Sequence, residues 1–332
     1  QTVAFEATNG ATVSTPVPTD ENGEVIVDLT NRTSGPSVVS ASINGATQQV
    51  TVHFSGDSST ARIATGDLIV VNDNAVADGR SANSVKVRVI DVNNNVVPNV
   101  VVSFRASNDA VIAPTGITNE IGEFTATLTS THAGESNVTA SINGSSQTVT
   151  VHFISGTVSG SRSELKAEPD AILVDNIQES VITLNLRDAH GNLITGRTSG
   201  ITFNVGGIAA GDYTLSPVNY SRADSGIYTV TLKGIKVGTA NVSALIDGET
   251  VGPVNVRLTH LSGGSAVGTN GTIVLNADTP VNAGEVSRLT VTLKDANGNP
   301  VIRAAGDISV SSNVHGQEQA GNWTESTSTP GL

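Results

Sequence analysis

The chain has 332 residues and a formal net charge of −13, from 17 basic and 30 acidic residues dispersed along its length. That balance argues against nucleic acid and anionic membrane surfaces as partners, because both need clustered Lys and Arg. Cysteine and methionine are absent, which excludes disulfides, thiolate nucleophiles and Cys-ligated zinc; the compartment stays open on this ground, since β domains of about 100 residues fold without disulfides.

Thr, Ser, Asn, Val and Gly dominate the composition, which suits short strands and turns over helices. No run of 18 apolar residues is present, and the first residues lack the basic-then-apolar order of a signal peptide. If the protein is exported, its targeting segment is expected outside this chain.

Residues 42–54 (SINGATQQVTVHF) recur as residues 141–153 (SINGSSQTVTVHF), matching at 10 of 13 positions at a separation of 99. The same offset carries Phe5 onto Phe104, Asn9 onto Asn108 and Gly23 onto Gly122. A fixed period of this kind marks an array of like units. Each copy alternates apolar and polar residues on both sides of Asn-Gly, the pattern of a β-hairpin.

In chain order, residues 1–54 read as a partial Ig-like domain whose opening strands are expected to be missing. Residues 62–153 form the complete reference unit. Leu68 to Val71 reads as its first strand, and Val85, Val87 and Val89 alternate with Lys86 and Arg88, so the valines face a core. Asp91-Val-Asn-Asn-Asn95 and Asn119-Glu-Ile-Gly122 are turns. Val87, Val89, Val102, Phe104, Phe124, Leu128, Val138, Ile142 and Val151 are expected to be buried together. Seven short strands at roughly ten-residue spacing point to an all-β sandwich.

Residues 163–259 repeat the plan, with Asp188-Ala-His-Gly-Asn192 at the corresponding turn. Phe203 follows Phe104 by 99 residues, whereas Gly226 follows Gly122 by 104. Five extra residues therefore lie between them, around Gly206 to Tyr220, and are expected in a loop or at the sandwich rim. Residues 272–332 carry Asp295-Ala-Asn-Gly-Asn-Pro300 and read as a partial Ig-like domain whose last strands are expected to be absent. Polar Ser/Gly-rich links, residues 55–66, 154–162 and 261–271, suit a beaded rod with small domain contacts.

The ordered set of Ala77-Asp-Gly79, the Asp-led turns above, Val102-Ser-Phe104, Gly122-Glu-Phe-Thr-Ala and Ala133-Gly134 resembles the bacterial Ig-like (Big-1 type) repeats of the intimin/invasin family of outer-membrane adhesins, the inverse autotransporters. The resemblance covers nearly the whole chain. It implies tandem immunoglobulin-like β-sandwiches arranged as a rod on the bacterial cell surface, attached through an outer-membrane barrel outside this chain. It also implies a host cell-surface or extracellular protein as the partner of the whole adhesin, and a monomeric stalk. The cysteine-bearing lectin-like tip of intimin and invasin has no counterpart here, so their receptor function does not carry over.

Candidate chemistry is sparse. Asp295-Ala-Asn-Gly-Asn has the oxygen spacing of a calcium loop, but an EF-hand needs a bidentate Glu at its twelfth position, and Gly306 stands there; a hairpin turn explains the Asn and Gly better. Asn72-Asp-Asn74 resembles an interdomain calcium linker on the same weak grounds. His53 and His152 share one repeat position and are expected on the outer face, as surface or interdomain side chains. Lys86 also faces outward, which argues against an intradomain Lys–Asn crosslink. Trp323 reads as a rim or core anchor. No nucleophile motif, metal-protease motif or phosphate loop is present. The reading is a non-enzymatic stalk segment with no catalytic, cofactor or metal residues; its alternative is that the Ig-like domains themselves bind a host protein through a loop or exposed strand edge.

Overall fold

The computed structural model describes residues 1–268, 270–277, 282, 287–308, 324 and 326. The chain divides into two units, Gln1–Gly156 and Thr157–Leu332, each described by itself.

The first unit opens with β1 (Ala4–Ala7), β2 (Thr12–Val13), β3 (Leu29–Thr30), β4 (Gly35–Ile43) and β5 (Ala46–Phe54). They form a three-stranded sheet in the order β1-β4-β5, with β2 paired to β3. The β4–β5 hairpin turns at Asn44-Gly45, both residues at positive φ (50° and 79°). A two-residue turn of this kind matches the right-handed strand twist, and Asn-Gly is the pair that adopts it most readily.

A complete sandwich follows, built from β6 (Leu68–Asn72), β7 (Ala75–Val76), β8 (Ala82–Arg88), β9 (Val101–Ala106), β10 (Val111–Ile112), β11 (Thr115–Ile117), β12 (Glu123–Thr129), β13 (Gly134–Ile142) and β14 (Ser145–Ile154). One sheet runs β10-β12-β8-β6 and the other β11-β9-β13-β14-β7. Alternation decides the faces: Val85, Val87, Val89, Val102, Phe104, Leu128, Val138 and Val151 are buried in one cluster, with Phe124 and Ile142 partly buried against it. Arg88 and His152 are exposed. Lys86 is half-buried on the outer face and reaches Glu123 at 3.2 Å.

Nine strands appear where seven were expected. The apolar run Leu68 to Val71 does not end in a turn; it passes through Asn72-Asp-Asn74, with Asn74 at φ 62°, and crosses to the other sheet. There β7 lies parallel to β14, pairing Ala75 with Phe153. The segment between β9 and β12 also yields two strands, β10 on one sheet and β11 on the other. Gly116 in β11 lies under the ring of Phe124, where a Cβ would come within 2.1 Å of a ring carbon.

The second unit contains a second sandwich, from β15 (Glu164–Glu168), β16 (Ala171–Leu173), β17 (Ser180–Asn185), β18 (Ile201–Gly206), β19 (Tyr213–Leu215), β20 (Asn219–Arg222), β21 (Ile227–Gly234), β22 (Gly238–Ile246) and β23 (Glu249–Thr259). Its sheets run β15-β17-β21-β19, with β20 also on β21, and β16-β23-β22-β18. Tyr228 occupies the place of Phe124. It is fully buried; its hydroxyl donates to the Ile194 carbonyl at 3.3 Å, and Tyr220 meets its ring edge-on at 5.8 Å between centroids. Burial raises the Tyr228 pKa above its ordinary value.

The five-residue expansion is not a plain loop. It forms β19 and β20, both antiparallel to β21 at the rim of one sheet, while Val218 and Tyr220 pack partly buried on the core. Beyond it, β24 (Thr272–Ala277) pairs with β25 (Leu289–Lys294), and Val291, Leu293, Val301 and Ala304 cluster with Val267. Trp323 lies outside the described residues.

Replacing Gly116 by Val is expected to destabilise the first complete sandwich by about 2–3 kcal/mol, because the added Cβ overlaps the ring of Phe124 and forces that ring off its packing against the core. Chemical denaturation of residues 55–156 measures it.

Candidate functional site

The polar groups with the fewest alternatives lie where one repeat meets the next within each unit. Asp91 heads the turn after β8 and is 1% exposed. A buried carboxylate must find donors, and the turn supplies them. Its Oδ1 accepts the backbone N–H of Asn93 (2.8 Å) and Asn95 (2.9 Å). Oδ2 accepts the side-chain amide of Asn95 (2.9 Å) and the backbone N–H of Asp57 in the preceding link (3.2 Å). Burial opposes ionisation, but these four donors outweigh it and hold the Asp91 pKa below its ordinary value.

Asn95 then reaches the preceding repeat. Its Oδ1 accepts the backbone N–H of Ser34 at 2.9 Å, and its Nδ2 donates to the Arg32 carbonyl at 2.8 Å. The link itself is fastened rather than free. A Cβ on Gly56 would come within 2.3 Å of the Val96 carbonyl oxygen. Ser58 and Ala61 offer their carbonyls to Asn143 Nδ2, at 3.0 and 3.2 Å, at the tip of the β13–β14 hairpin. The polar link expected at residues 55–66 is ordered in the first unit: Ser58–Thr60 form a 3-10 turn held against the following sandwich.

The same device recurs in the second unit. Asp295 Oδ1 accepts Asn297 N–H (2.9 Å) and Asn299 N–H (2.8 Å), and Oδ2 accepts Asn299 Nδ2 (2.9 Å). Asn299 in turn accepts from Val237 N–H (2.9 Å) and donates to the Ile235 carbonyl (2.7 Å). Ser34 and Val237 hold one repeat position, each just before the glycine that opens the strand (Gly35, Gly238). Lys236 Nζ adds a bond to the Asn297 carbonyl at 2.8 Å. The Asp295 carboxylate thus faces N–H donors, which oppose a cation where a calcium loop would present only oxygens. Asp188 and Asn192 build the same turn, with Asn192 Nδ2 on Asp188 Oδ2 at 2.9 Å.

His152 gives a second polar cluster. Asp73, in the strand switch between β6 and β7, accepts the His152 backbone N–H and sits 3.0 Å from Nδ1. Glu135 on β13 lies 3.7 Å from Nε2, and buried Asn83 donates to the His152 carbonyl at 2.7 Å. The cluster fastens the strand switch. The hydrogen bond to Asp73 raises the His152 pKa; Asp73 resists burial but, bonded by His152, titrates below its ordinary value. In the other sandwich Arg257 stands at this place against Asp170, at 3.8 Å. His53 shares the repeat position and is exposed. Among the described residues no three His, Asp or Glu side chains are grouped to hold a metal ion. No described helix is long and apolar enough to cross a membrane.

Residues 65–154 match the bacterial Ig-like domain (group 1) family, and residues 159–261 match invasin domain 3. The two complete sandwiches are Ig-like repeats of the intimin/invasin family. The chain is 30% identical over 311 residues to the inverse autotransporter adhesin YeeJ of Escherichia coli K12, covering 90% of this chain and 13% of that protein. It is 29% identical over 193 residues to invasin of Yersinia enterocolitica, covering 57% of this chain and 22% of that one. Among solved structures, Yersinia pseudotuberculosis InvD aligns at a TM-score of 0.50 with 22% identity, covering 73% of this chain and 72% of that one; at this identity the likeness speaks for the fold.

Two outcomes test these sites. Asn95→Ala removes two bonds to the preceding repeat, each worth about 1 kcal/mol net, and one to the buried Asp91 carboxylate, so the Ser34 amide should exchange with solvent roughly tenfold faster and the β12 amides should speed up by a smaller factor. For His152, the raised pKa means that its contribution to stability is complete below the unfolded value of about 6.5 and is lost as pH rises through the folded value. Asp73, with a lowered pKa, contributes above about 3.9 and loses its share as pH falls through its folded value. The denaturation midpoint of the first sandwich should therefore drop from pH 6 to pH 8, and His152→Arg should flatten that drop.

Proposed function

We propose that this chain is part of the stalk of a bacterial surface adhesin and holds a binding domain away from the outer membrane. The observation that carries the reading is the repeated joint: Asn95 and Asn299 each fix the following repeat to the preceding one by two main-chain bonds. A segment with such joints transmits position. The 30% identity to an adhesin along 90% of the chain supports the same role. The anchoring barrel and the receptor-binding domain belong to regions outside residues 1–332, and the partner of the whole protein is a host cell-surface or extracellular protein. In this reading the segment's work is mechanical: the polar clusters at Asp91, Asp295 and His152 fasten turns, links and strands.

The decisive experiment substitutes the segment within the complete surface protein. Exchange of residues 62–259 for two unrelated cysteine-free Ig-like domains should preserve attachment to host cells. Deletion should lower attachment, although the receptor-binding domain still binds when purified. Loss of attachment on exchange, with that domain intact, would instead assign recognition to the segment itself.

A further inference from the structure

The two complete sandwiches treat one edge differently. In the first, β9 is covered by β11: Phe104 N–H donates to the Pro114 carbonyl at 2.8 Å, Gly116 pairs with Val102, and Thr118 N–H donates to the Val100 carbonyl at 3.0 Å. The corresponding strand in the other sandwich is β18, since Phe203 pairs with Ala244 as Phe104 pairs with Ala140. Its covering segment has moved. The five-residue expansion keeps both β19 and β20 on β21, in the opposite sheet, so β18 ends its sheet with no strand beyond it among the described residues.

Burial records the change. Phe104 is 3% exposed, whereas Phe203, at the same position, is only half-buried; Ile201 stays buried as Val102 is, and Thr202, Asn204 and Val205 are as accessible as Ser103, Arg105 and Ala106 on the covered strand. In an antiparallel ladder alternate residues direct their N–H and C=O to opposite sides. By the register of β9, Ile201, Phe203 and Val205 direct theirs away from β22.

Edges of this kind are ordinarily defended by charge, proline, bulges or brevity. The other edges of the two complete sandwiches are, whereas β5 and β24, at sheet edges in the partial repeats, are not. β15 carries Glu164, Lys166 and Glu168 and runs into Pro169, β6 has an irregular register between Val70 and Asn72, and β7, β10, β11, β16 and β19 are two or three residues long. The six residues of β18, Ile-Thr-Phe-Asn-Val-Gly, carry none of these devices.

We infer that β18 is a strand-addition site for an extended, uncharged segment of a partner protein, which pairs antiparallel along Ile201, Phe203 and Val205 as β11 does along β9. The first sandwich displays the required occupant: a short strand with a small residue where it passes the core aromatic. Main-chain bonds supply the affinity in this mode, and the half-buried Phe203 and Val205 select the partner's inward side chains. A second copy of the chain is disfavoured as occupant, because a six-residue edge between two rigid sandwiches buries far less than the roughly 1,200 Å² of a stable interface. The site is lateral and independent of the spacer role.

Amide hydrogen exchange on the full chain tests this, with a synthetic peptide of residues 111–119 as the probe. In the free chain the amides of Ile201, Phe203 and Val205 should exchange at least about tenfold faster than those of Thr202 and Asn204. Millimolar peptide should slow the first three about tenfold and leave the other two unchanged. Val205→Pro removes an outward N–H without touching the bonds to β22, and should abolish the peptide effect while Val242 and Ala244 stay protected. Should that variant unfold, the wild-type exchange pattern decides alone. Phe203 already protected in dilute free chain would mean a covered edge, and protection that disappears only on dilution would mean a second copy; either overturns the proposal, as does no protection by millimolar peptide.

Discussion

A buried carboxylate governs the joints of this chain. Asp91 is withdrawn from water by the strand ends around it, and its four lone-pair directions are filled by donors from its own turn, from Asn95 and from the link. Because a carboxylate stripped of donors in such a place is costly, the turn, the link and the side chain of Asn95 are fixed as a set. Asn95 is thereby held with its remaining oxygen and amide hydrogen pointing at the preceding repeat. Positioning of the neighbour follows from satisfying one charge. Asp295 and Asn299 reproduce the arrangement with different residues on the other side of the joint.

Much of the fold is legible because it rests on local rules. Alternation placed Val85, Val87 and Val89 inside, and Asn143-Gly144 turned the hairpin at φ 47° and 80°, since both depend on residues within a few positions of one another. The strand switch at Asn72-Asp-Asn74 depends instead on β14, about eighty residues downstream, whose His152 N–H donates to Asp73. Periodicity of the run Leu68 to Val71 carries no information about that destination. The Asp-x-x-x-Asn turns were readable as turns, and their second task was not: Arg32 lies 63 residues from Asn95, and a turn-forming Asn has the same sequence signature whether its side chain ends in water or on a neighbour. The Asp73–His152 cluster had one usable signal, an acid beside a β-branched run at the repeat's opening, with a cation at its close.

The expansion in the third repeat shows how length alone redirects a segment. Residues 107–122 cross between sheets and close both edges. With five more residues the same connection stays on β21 and inserts Val218 and Tyr220 beside Tyr228. The aromatic at the core survives, its hydroxyl satisfied by Ile194, while the opposite edge loses its cover. Core chemistry is conserved between the two sandwiches and edge chemistry is exchanged.

The clasp between repeats has a property that bears on how such arrays are made. Asn95 binds Arg32 and Ser34, and Asn299 binds Ile235 and Val237, yet in all four cases it grips the main chain alone. The asparagine clasp is therefore blind to the side chains it meets, although Lys236 adds a side-chain bond at the second joint. A repeat that keeps its own Asp and Asn can follow any other of the class, so duplication, deletion and shuffling of repeats leave the joints competent without compensating mutation. The number of repeats becomes a quantity that recombination can change in one step.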